Sequence, residues 1–323
     1  MIAVAVILGV AVAAGRWLEP PPGAAAGTDW VVLNLAFPAL VLATIPGLEL
    51  DRTALVPVAV AWSIVVVSAL VVWVVATRAG WSRQVTGALL LVVPLGNTSF
   101  LGFPAVEALL GPEGLPTAVL YDQLGTFLAL STYGAVIAAR YGGSEAASPG
   151  GAAMLRRTVS FPPFVALVVA FALRGVALPG SLTSAFDVLA ASLTPLAMVG
   201  IGLRLSQRRL SVPDGPVVLG LGLRLFVLPA AVLAVAVVVG GRSSIEWDVS
   251  VLESATPPMI TAGIVATAAG LDEDTVTSLV GLGVVIALFP LPVWAVLTGC
   301  RRSSAHALER VGLPYGRERR PTH

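Results

Sequence analysis

The distribution of apolar residues along the chain restricts its possible folds more than any other feature. Ten apolar runs are separated by short segments rich in Arg, Asp, Glu, Gly and Pro. The runs cover Met1–Gly15, Trp30–Pro46, Ala54–Thr77, Gln84–Leu110, Pro116–Ala139, Phe161–Ala177, Leu182–Leu203, Val217–Val239, Val249–Ala269 and Val276–Leu297. Most of them approach the roughly 20 residues that a helix needs to cross a bilayer. Only 11% of the 323 residues are charged, whereas about a quarter are charged in a soluble domain. The sequence therefore predicts an all-α polytopic membrane protein with ten transmembrane helices.

The ten predicted helices divide into two halves of five. The longest connection contains Gly-Gly-Ser-Glu-Ala-Ala-Ser-Pro-Gly-Gly, a composition typical of flexible linkers. Prolines interrupt the fourth helix at Pro94 and the ninth at Pro257, which are corresponding positions of the two halves. Because five is odd, the second half would enter the membrane from the opposite side, as in the inverted repeats of secondary transporters. The predicted domains are a first repeat, a central cytoplasmic loop, a second inverted repeat and a basic C-terminal tail, at residues 1–139, 140–160, 161–300 and 301–323.

The distribution of arginine predicts the orientation in the membrane. All 19 basic residues are Arg. Nine lie in the loops that follow odd-numbered helices, and three lie in the loops on the other side. Loops rich in Lys and Arg stay in the cytoplasm, so both termini are expected outside it, in a multi-pass protein of the plasma (inner) membrane. Six further Arg in the C-terminal tail oppose this assignment, but late charges usually weigh less than early loops.

The break in the fourth helix predicts a binding site in the middle of the membrane. The ten residues before Pro94 form about 15 Å of helix, which is half of a roughly 30 Å hydrocarbon core. Pro94 and Gly96 break the helix, and Asn97, Thr98 and Ser99 are residue types that cap a new helix start. A half-helix that begins there directs its partly positive N-terminus into the protein, where it can bind an anion without Lys or Arg. These three polar residues are therefore predicted to bind substrate.

The ninth helix contains a matching element. Thr256 is expected to cap a second half-helix, and Pro257 suits the first helical position. Pro258 follows directly and completes the break. An ordinary proline kink is the alternative for either break alone, but two breaks in corresponding helices favour a substrate site.

Ionisable residues within the predicted spans are costly in a membrane and are therefore candidates for function. Asp122 is predicted to accept a proton or cation, and neighbouring Gln123 to donate to a carboxylate substrate; a buried structural pair is the alternative. Glu253, one turn before the Pro257 break, is predicted to couple to an ion, or else to be a capped structural carboxylate. Arg224 would pair with Glu253, contact an anionic substrate, or extend its side chain to the membrane surface.

Enzymatic chemistry has few possible participants. The chain contains no Lys, and both His residues, His306 and His323, lie in the tail. The lone Cys300 ends the last apolar run. A Schiff base, a His/Cys metal site and an intramembrane nucleophile–base pair are thereby excluded within the predicted spans. We expect no enzyme, catalytic residue, metal or cofactor, and no nucleic-acid partner; coupling to H⁺ or Na⁺ remains open.

The broken helices resemble those of a known transporter family. Asn97 through Pro104 resembles the Asn-Thr-x-Phe-x-Gly-x-Pro element of the auxin efflux carrier (AEC) family. The run from Glu253 through Pro258 and the later Gly270-Leu271-Asp272 are also similar to that family, as are the end of the seventh helix and Arg224. The resemblance covers nearly the whole chain. Bacterial members of the family look like malate or malonate permeases, and the fold is shared with bile acid sodium symporters.

This resemblance implies ten helices in two inverted repeats, with helices one, two, six and seven as a scaffold. The other six helices would form a transport domain that moves substrate by an elevator-like mechanism. Residue by residue, the Pro94 break and Asn97 correspond to the first crossover, and the Pro257–Pro258 pair to the second. Asp122 and Gln123 correspond to the contribution of the fifth helix. The resemblance further implies a small organic anion as substrate and a homodimer through the scaffold helices.

Three functions remain to be weighed. A secondary active transporter of a small organic anion, driven by membrane potential or coupled to protons through Asp122 or Glu253, accounts for most of the features. A sodium-coupled symporter is the nearest alternative, because carbonyls freed at the breaks could coordinate Na⁺ together with Glu253. A channel would use rings of like charge or repeated carbonyl filters, and the sequence does not repeat in that way.

Overall fold

The computed structural model describes residues 1–299 except 19, 49–51, 144–155, 157–158, 177, 208–212 and 242–243. Most of the predicted central loop, the predicted tail, Cys300 and both histidines lie outside the described residues. The helices are α1 (Ile2–Trp17), α2 (Ala24–Gly47), α3 (Arg52–Ala79), α4 (Arg83–Val92), α5 (98–109), α6 (115–141), α7 (Pro162–Ala172), α8 (Gly180–Ser206), α9 (Gly215–Val238), α10 (Ile245–Ser254), α11 (Ile260–Ala268), α12 (Glu273–Ala287) and α13 (Pro290–Leu297). The described part of the chain is thus almost entirely helical, as predicted.

Several helices are long and apolar enough to cross a membrane. By length and hydropathy, four of the described helices meet this requirement: α2, α3, α8 and α9. The pair α12 and α13 makes a fifth if it is counted as one bent span. Helices α1, α4 and α7 are apolar but shorter. These features agree with the predicted multi-pass membrane protein.

Two helix ends and one bend are the largest departures from the predicted runs. Helix α2 begins at Ala24 rather than Trp30, because the hydroxyl of Thr28 donates to the carbonyl of Ala24 and so stays within the helix. Helix α7 ends at Ala172 instead of Ala177. The last apolar run is bent by 54° before Pro290, not straight, since proline supplies no backbone N–H to continue the first helix.

The helices pack into two groups. In the first, called the scaffold group (α1, α2, α7 and α8), α1 lies along α8, and α2 packs against both α7 and α8. Gly202 of α8 permits this close approach, since a Cβ there would lie 2.9 Å from the carbonyl oxygen of Leu8. The remaining helices form the crossover group, in which α3 packs on α6 and α10, and α4 packs on α11 and α12. Phe37 of the scaffold group and Phe103 of the crossover group meet edge to face at 5.0 Å between ring centroids.

Candidate functional site at the helix crossover

The two broken helices cross at their unwound segments. The N–H of Asn97 donates to the carbonyl of Pro257 at 2.7 Å, and the N–H of Met259 donates to the carbonyl of Leu95 at 2.9 Å. These two bonds form an antiparallel bridge between Gly96 and Pro258. Each broken helix therefore supplies one donor and one acceptor to the other, and the bridge satisfies part of the backbone that the breaks leave without helical partners.

The bridge changes how the two half-helices begin. Helix α11 starts at Ile260, with Met259 at its N-cap, so the predictions that Thr256 caps this helix and that Pro257 is its first residue are wrong. The physical reason is the bridge, whose bond to the N–H of Met259 holds that residue extended. Asn97 occupies the N-cap position before α5 but its side chain forms no capping bond. Capping by these side chains is thus replaced by pairing between the two breaks.

Arg224 of α9 inserts its guanidinium group between the breaks. Its Nε donates to the carbonyl of Thr256 at 2.9 Å, and its Nη2 donates to the Thr256 hydroxyl at 3.2 Å. The carbonyls of Glu253 and Pro94 accept from Nη2 and Nη1 at 3.3 and 3.4 Å. With 1% of its surface exposed, the side chain does not reach the membrane surface, and that alternative is wrong, because the freed carbonyls bind the guanidinium in the interior.

Gly96 provides the space for this guanidinium. A Cβ at Gly96 would overlap Nη2 of Arg224 and lie 2.5 Å from the Thr256 hydroxyl. We call this region the Arg224 side of the crossover, consisting of Pro94, Gly96, Arg224, Glu253 and Thr256. The cation here compensates the partly negative C-terminal ends of α4 and α10.

Glu253 lies in the last turn of α10 and is completely buried. Both carboxylate oxygens lack a hydrogen-bond partner among the described residues. The expected direct pairing with Arg224 is not formed, because the guanidinium bonds to the backbone carbonyl of Glu253 and not to its carboxylate. The carboxylate lies instead against Gly102, where an added Cβ would overlap it.

Asp122 of α6 has a different environment although it is equally buried. Its Oδ1 accepts from the hydroxyls of Thr98 and Ser99 at 2.5 and 2.6 Å. Its Oδ2 accepts from Nε2 of Gln123 at 2.6 Å. The amide nitrogen of Gln123 thus donates within the protein, and its Oε1 lacks a partner among the described residues. Donation from Gln123 to a substrate stays a prediction.

A cavity of about 190 Å³ lies beside the crossover. Its polar lining residues are Asn97, Ser99, Asp122, Ser131 and Thr261, and its apolar ones are Leu33, Phe100, Phe127, Leu130, Phe161, Met259 and Val265. At about 30 Å³ per molecule the cavity would hold about six waters. Because residues of the first turns of α5 and α11 line it, two partly positive helix starts face this space.

Asn97 lines this cavity and has an unused side-chain donor among the described residues. Its side chain is buried and its Nδ2 has no partner among the described residues. A buried amide donor without a partner is costly, so an acceptor in the cavity would relieve that cost. We call this region the cavity side of the crossover, consisting of Asn97, Ser99, Asp122, Met259 and Thr261. It combines N–H and O–H groups with the Asp122 carboxylate.

Two of the seven predicted substrate residues line the cavity. Asn97 and Ser99 line the cavity, whereas Thr98, Gln123, Thr256, Pro257 and Pro258 are absent from its lining. Sequence reasoning missed Thr261 and Ser131. The position of Thr261, just after the second break, is a signal that could have identified it. Ser131 lies within an apolar run, and its neighbours in sequence give no comparable signal.

Comparison with known proteins places this geometry in context. The family described as "Membrane transport protein" matches residues 1–295. An uncharacterised transporter of Methanothermobacter thermautotrophicus is 30% identical over 273 residues, which cover 83% of this chain and 87% of that protein. An uncharacterised transporter of Methanocaldococcus jannaschii is 26% identical over 213 residues, or 64% of this chain and 67% of that protein.

Proposed function

The chain belongs to the membrane transport protein family, the auxin efflux carrier family whose motifs it carries, and from this premise we propose that it is a secondary active transporter of a small organic anion. The proposal includes ten spans in two inverted repeats, at the plasma membrane, with both termini outside the cytoplasm. Membership of a transporter family also agrees with the expectation that the chain is not an enzyme.

The single observation that carries the anion proposal is the buried amide of Asn97 in the cavity. Its Nδ2 lacks a protein acceptor among the described residues, and residues at the starts of α5 and α11 surround the same space. A carboxylate would accept from this amide and from hydroxyls such as that of Thr261, and the two helix starts would favour its charge. A neutral or cationic ligand would gain nothing from the helix starts.

The crossover geometry supports the inverted-repeat proposal. The two bridging bonds are equivalent. In each, the N–H of the residue after one bridge position, Asn97 or Met259, donates to the carbonyl of the residue before the other position. An antiparallel crossing of corresponding helices is what a two-fold axis in the membrane plane would generate. The start of the first broken helix, in α4, also contacts the chain beyond the end of the second, after α11. There the N–H of Asp272 donates to the carbonyl of Gln84 at 3.5 Å.

The two packing groups support an elevator-type movement. The cavity lies between them. On the scaffold side it is lined by Leu33 of α2 and by Phe161, which directly precedes α7. On the other side it is lined by residues of α5, α6 and α11. Sliding of the crossover group along the scaffold group would therefore carry the cavity across the membrane. The outer surface of the scaffold group remains available for the proposed homodimer.

Proton coupling is favoured over sodium coupling by the position of Arg224. The carbonyls of Pro94, Glu253 and Thr256, which would be the ligands of a sodium ion, already accept from its guanidinium. Glu253 has no such partner at its carboxylate among the described residues. An ionised carboxylate is costly there unless it gains a partner, so we propose that Glu253 carries the coupled proton and that Asp122 holds the segment from Thr98 to Ser99.

Uptake into proteoliposomes tests this proposal. The purified protein is reconstituted and offered labelled malate, malonate and indole-3-acetate under imposed pH, Na⁺ or potential gradients. We expect saturable uptake of one acid, accelerated by a proton gradient. Acceleration only by Na⁺ would support the symporter alternative, flux that does not saturate would support a channel, and no uptake of any acid would contradict an organic-anion substrate.

A further inference from the structure

An arginine–aspartate pair lies beside the proposed substrate cavity. Arg204, in the last turn of α8, donates from Nη1 to Oδ1 of Asp29 in α2 at 2.8 Å. Its Nη2 donates to Oδ2 of the same carboxylate, so that the pair is bidentate. The two side chains are 21% and 17% exposed. They line a second cavity of about 280 Å³, and the pair is thus accessible to small molecules.

The second cavity is adjacent to the first. Leu33, Phe100, Thr261 and Val265 line both. The second cavity also extends along α11 to Ala268, near the end of that half-helix. It therefore lies between the proposed substrate cavity and the side of the molecule where α2 begins and α8 ends.

The ion pair does not join the two packing groups. Both of its residues belong to the scaffold group, whose helices α2 and α8 already pack closely together. Gly200, one turn before Arg204, leaves room for the aspartate, since a Cβ there would lie 2.9 Å from Oδ1 of Asp29. A bidentate pair of this kind can stabilise the contact between α2 and α8. Its position in a cavity wall also allows a second role.

The chemistry of the pair matches a carboxylate ligand. The planar guanidinium group of Arg binds a carboxylate through two parallel bonds, and the Asp29 carboxylate occupies that position here. A carboxylate that enters the cavity presents the same two oxygens and can replace Asp29 at Arg204. Asp29 then acts as a resident competitor, which keeps binding weak enough for the ligand to move on.

We propose that Arg204 is a second carboxylate-binding site, at which the acid group of the transported anion replaces Asp29 before the anion reaches Asn97. The inference rests on the proposed function for the identity of the ligand. It differs from that function in predicting a site on the scaffold group, separate from the crossover.

Substitution of Asp29 and substitution of Arg204 should change anion binding in opposite directions. Asp29→Asn removes the competing carboxylate and is expected to tighten anion binding by about fivefold or more, because a charge-assisted bidentate bond becomes available. Arg204→Gln is expected to abolish binding at this site. If the pair were only structural, both substitutions would weaken the same contact and shift binding in the same direction.

Binding of labelled malonate to the purified protein in detergent, measured by equilibrium dialysis at constant ionic strength with chloride as the balancing anion, separates the two sites. All variants are made in an Asn97→Ala background, which removes the crossover site. We expect malonate binding to remain in that background, to tighten with Asp29→Asn and to disappear with Arg204→Gln or Arg204→Lys. The matched control is Arg174→Gln, which removes an exposed arginine that bonds to the carbonyl of Leu48.

Each opposing result overturns the proposal. Binding that disappears with Asn97→Ala alone would assign all malonate to the crossover. Unchanged or weaker binding in the Asp29→Asn variant, or no malonate binding in any variant, would show that Arg204 is not a carboxylate site. Failure of the proposed function is seen separately, as the absence of acid uptake by the wild-type protein in proteoliposomes.

Discussion

The Arg224 side and the cavity side of the crossover are built from the same unwound segments but leave their polar groups in different states. On the Arg224 side, three backbone carbonyls accept hydrogen bonds from one resident cation. On the cavity side, a buried amide nitrogen of Asn97 has no protein partner among the described residues. The freed carbonyls on the Arg224 side therefore have donors without a ligand, whereas the Asn97 amide has no acceptor among the described residues. The difference teaches that a broken helix can provide structure at its C-terminal ends and binding at its N-terminal ends.

The buried carboxylates on the two sides differ in the opposite sense, since the one on the cavity side has the hydrogen-bond partners. Asp122, on the cavity side, accepts three hydrogen bonds from side chains. Glu253, on the Arg224 side, has none at its carboxylate among the described residues. Asp122 therefore has the surroundings of a structural anchor, and Glu253 those of a group that changes its protonation.

Removal of the Arg224 guanidinium should have the largest effect on the stability of the crossover. Arg224→Met leaves the carbonyls of Pro94, Glu253 and Thr256 buried without a donor, at a cost of about 3 kcal/mol or more in the free energy of unfolding. We expect the variant to lose its folded form in detergent, as judged by thermal melting followed by gel filtration. Arg174→Met is the control on an exposed site, and a normal melting temperature for Arg224→Met would show that the carbonyls do not need the guanidinium.

Filling the space at the bridge should have the next largest effect. An added methyl group in Gly96→Ala would overlap the Arg224 guanidinium, and overpacking of this kind costs about 1–3 kcal/mol. Melting temperature and uptake should both fall. Gly222→Ala serves as the matched control because its added Cβ would meet nothing within 4 Å beyond the adjacent backbone of its own helix; equal effects of the two substitutions would argue against a close fit at Gly96.

Loss of one donor to Asp122 should have a smaller effect. Thr98→Val keeps the shape of the side chain and removes one of three hydrogen bonds, which costs about 1 kcal/mol. The expected result is a modest fall in melting temperature and weaker uptake, since the neighbouring Asn97 is held less firmly. Thr44→Val removes a hydroxyl that bonds to the carbonyl of Leu40 in its own helix and should leave uptake unchanged; the same loss of uptake in both would remove the special role of Asp122.

Neutralising Glu253 should change stability least and coupling most. Glu253→Gln is nearly isosteric and breaks no hydrogen bond to its carboxylate, so the melting temperature should shift little. Wild-type uptake is expected to rise under an inward proton gradient, and the variant should lose that response. Glu113→Gln, on the exposed connection before α6, is the control. An unaltered response to the gradient in Glu253→Gln would return Glu253 to a structural role.

The sequence predicts the helical class and the family well because these depend on local composition and motifs. Ten apolar runs and the element from Asn97 to Pro104 are visible without any tertiary information. The bend before Pro290 was also visible in principle, since proline is a local signal. The start of α2 at Ala24 is not predicted, because the polar residues Thr28 and Asp29 precede the apolar run that locates this helix.

The contacts within the site could not be predicted because they join residues that are distant in sequence. The start of α11 at Ile260 depends on a bridge to Leu95, more than a hundred residues earlier. Three of the four hydrogen bonds of Arg224 go to backbone carbonyls, which carry no sequence signal. The Asp29–Arg204 pair joins two run ends whose charges indicate only a boundary when each is considered alone.

The central claim, that the cavity side binds the transported anion through Asn97, is tested most directly by uptake with Asn97→Ala. The variant and the wild type are reconstituted at equal amounts after their gel-filtration profiles and melting temperatures are matched. Asn34→Ala, which removes an asparagine bonded to the carbonyl of Trp30 on α2, is the control. We predict that saturable acid uptake is abolished in Asn97→Ala and retained in Asn34→Ala. Unchanged saturable uptake by the folded Asn97→Ala variant would contradict the claim.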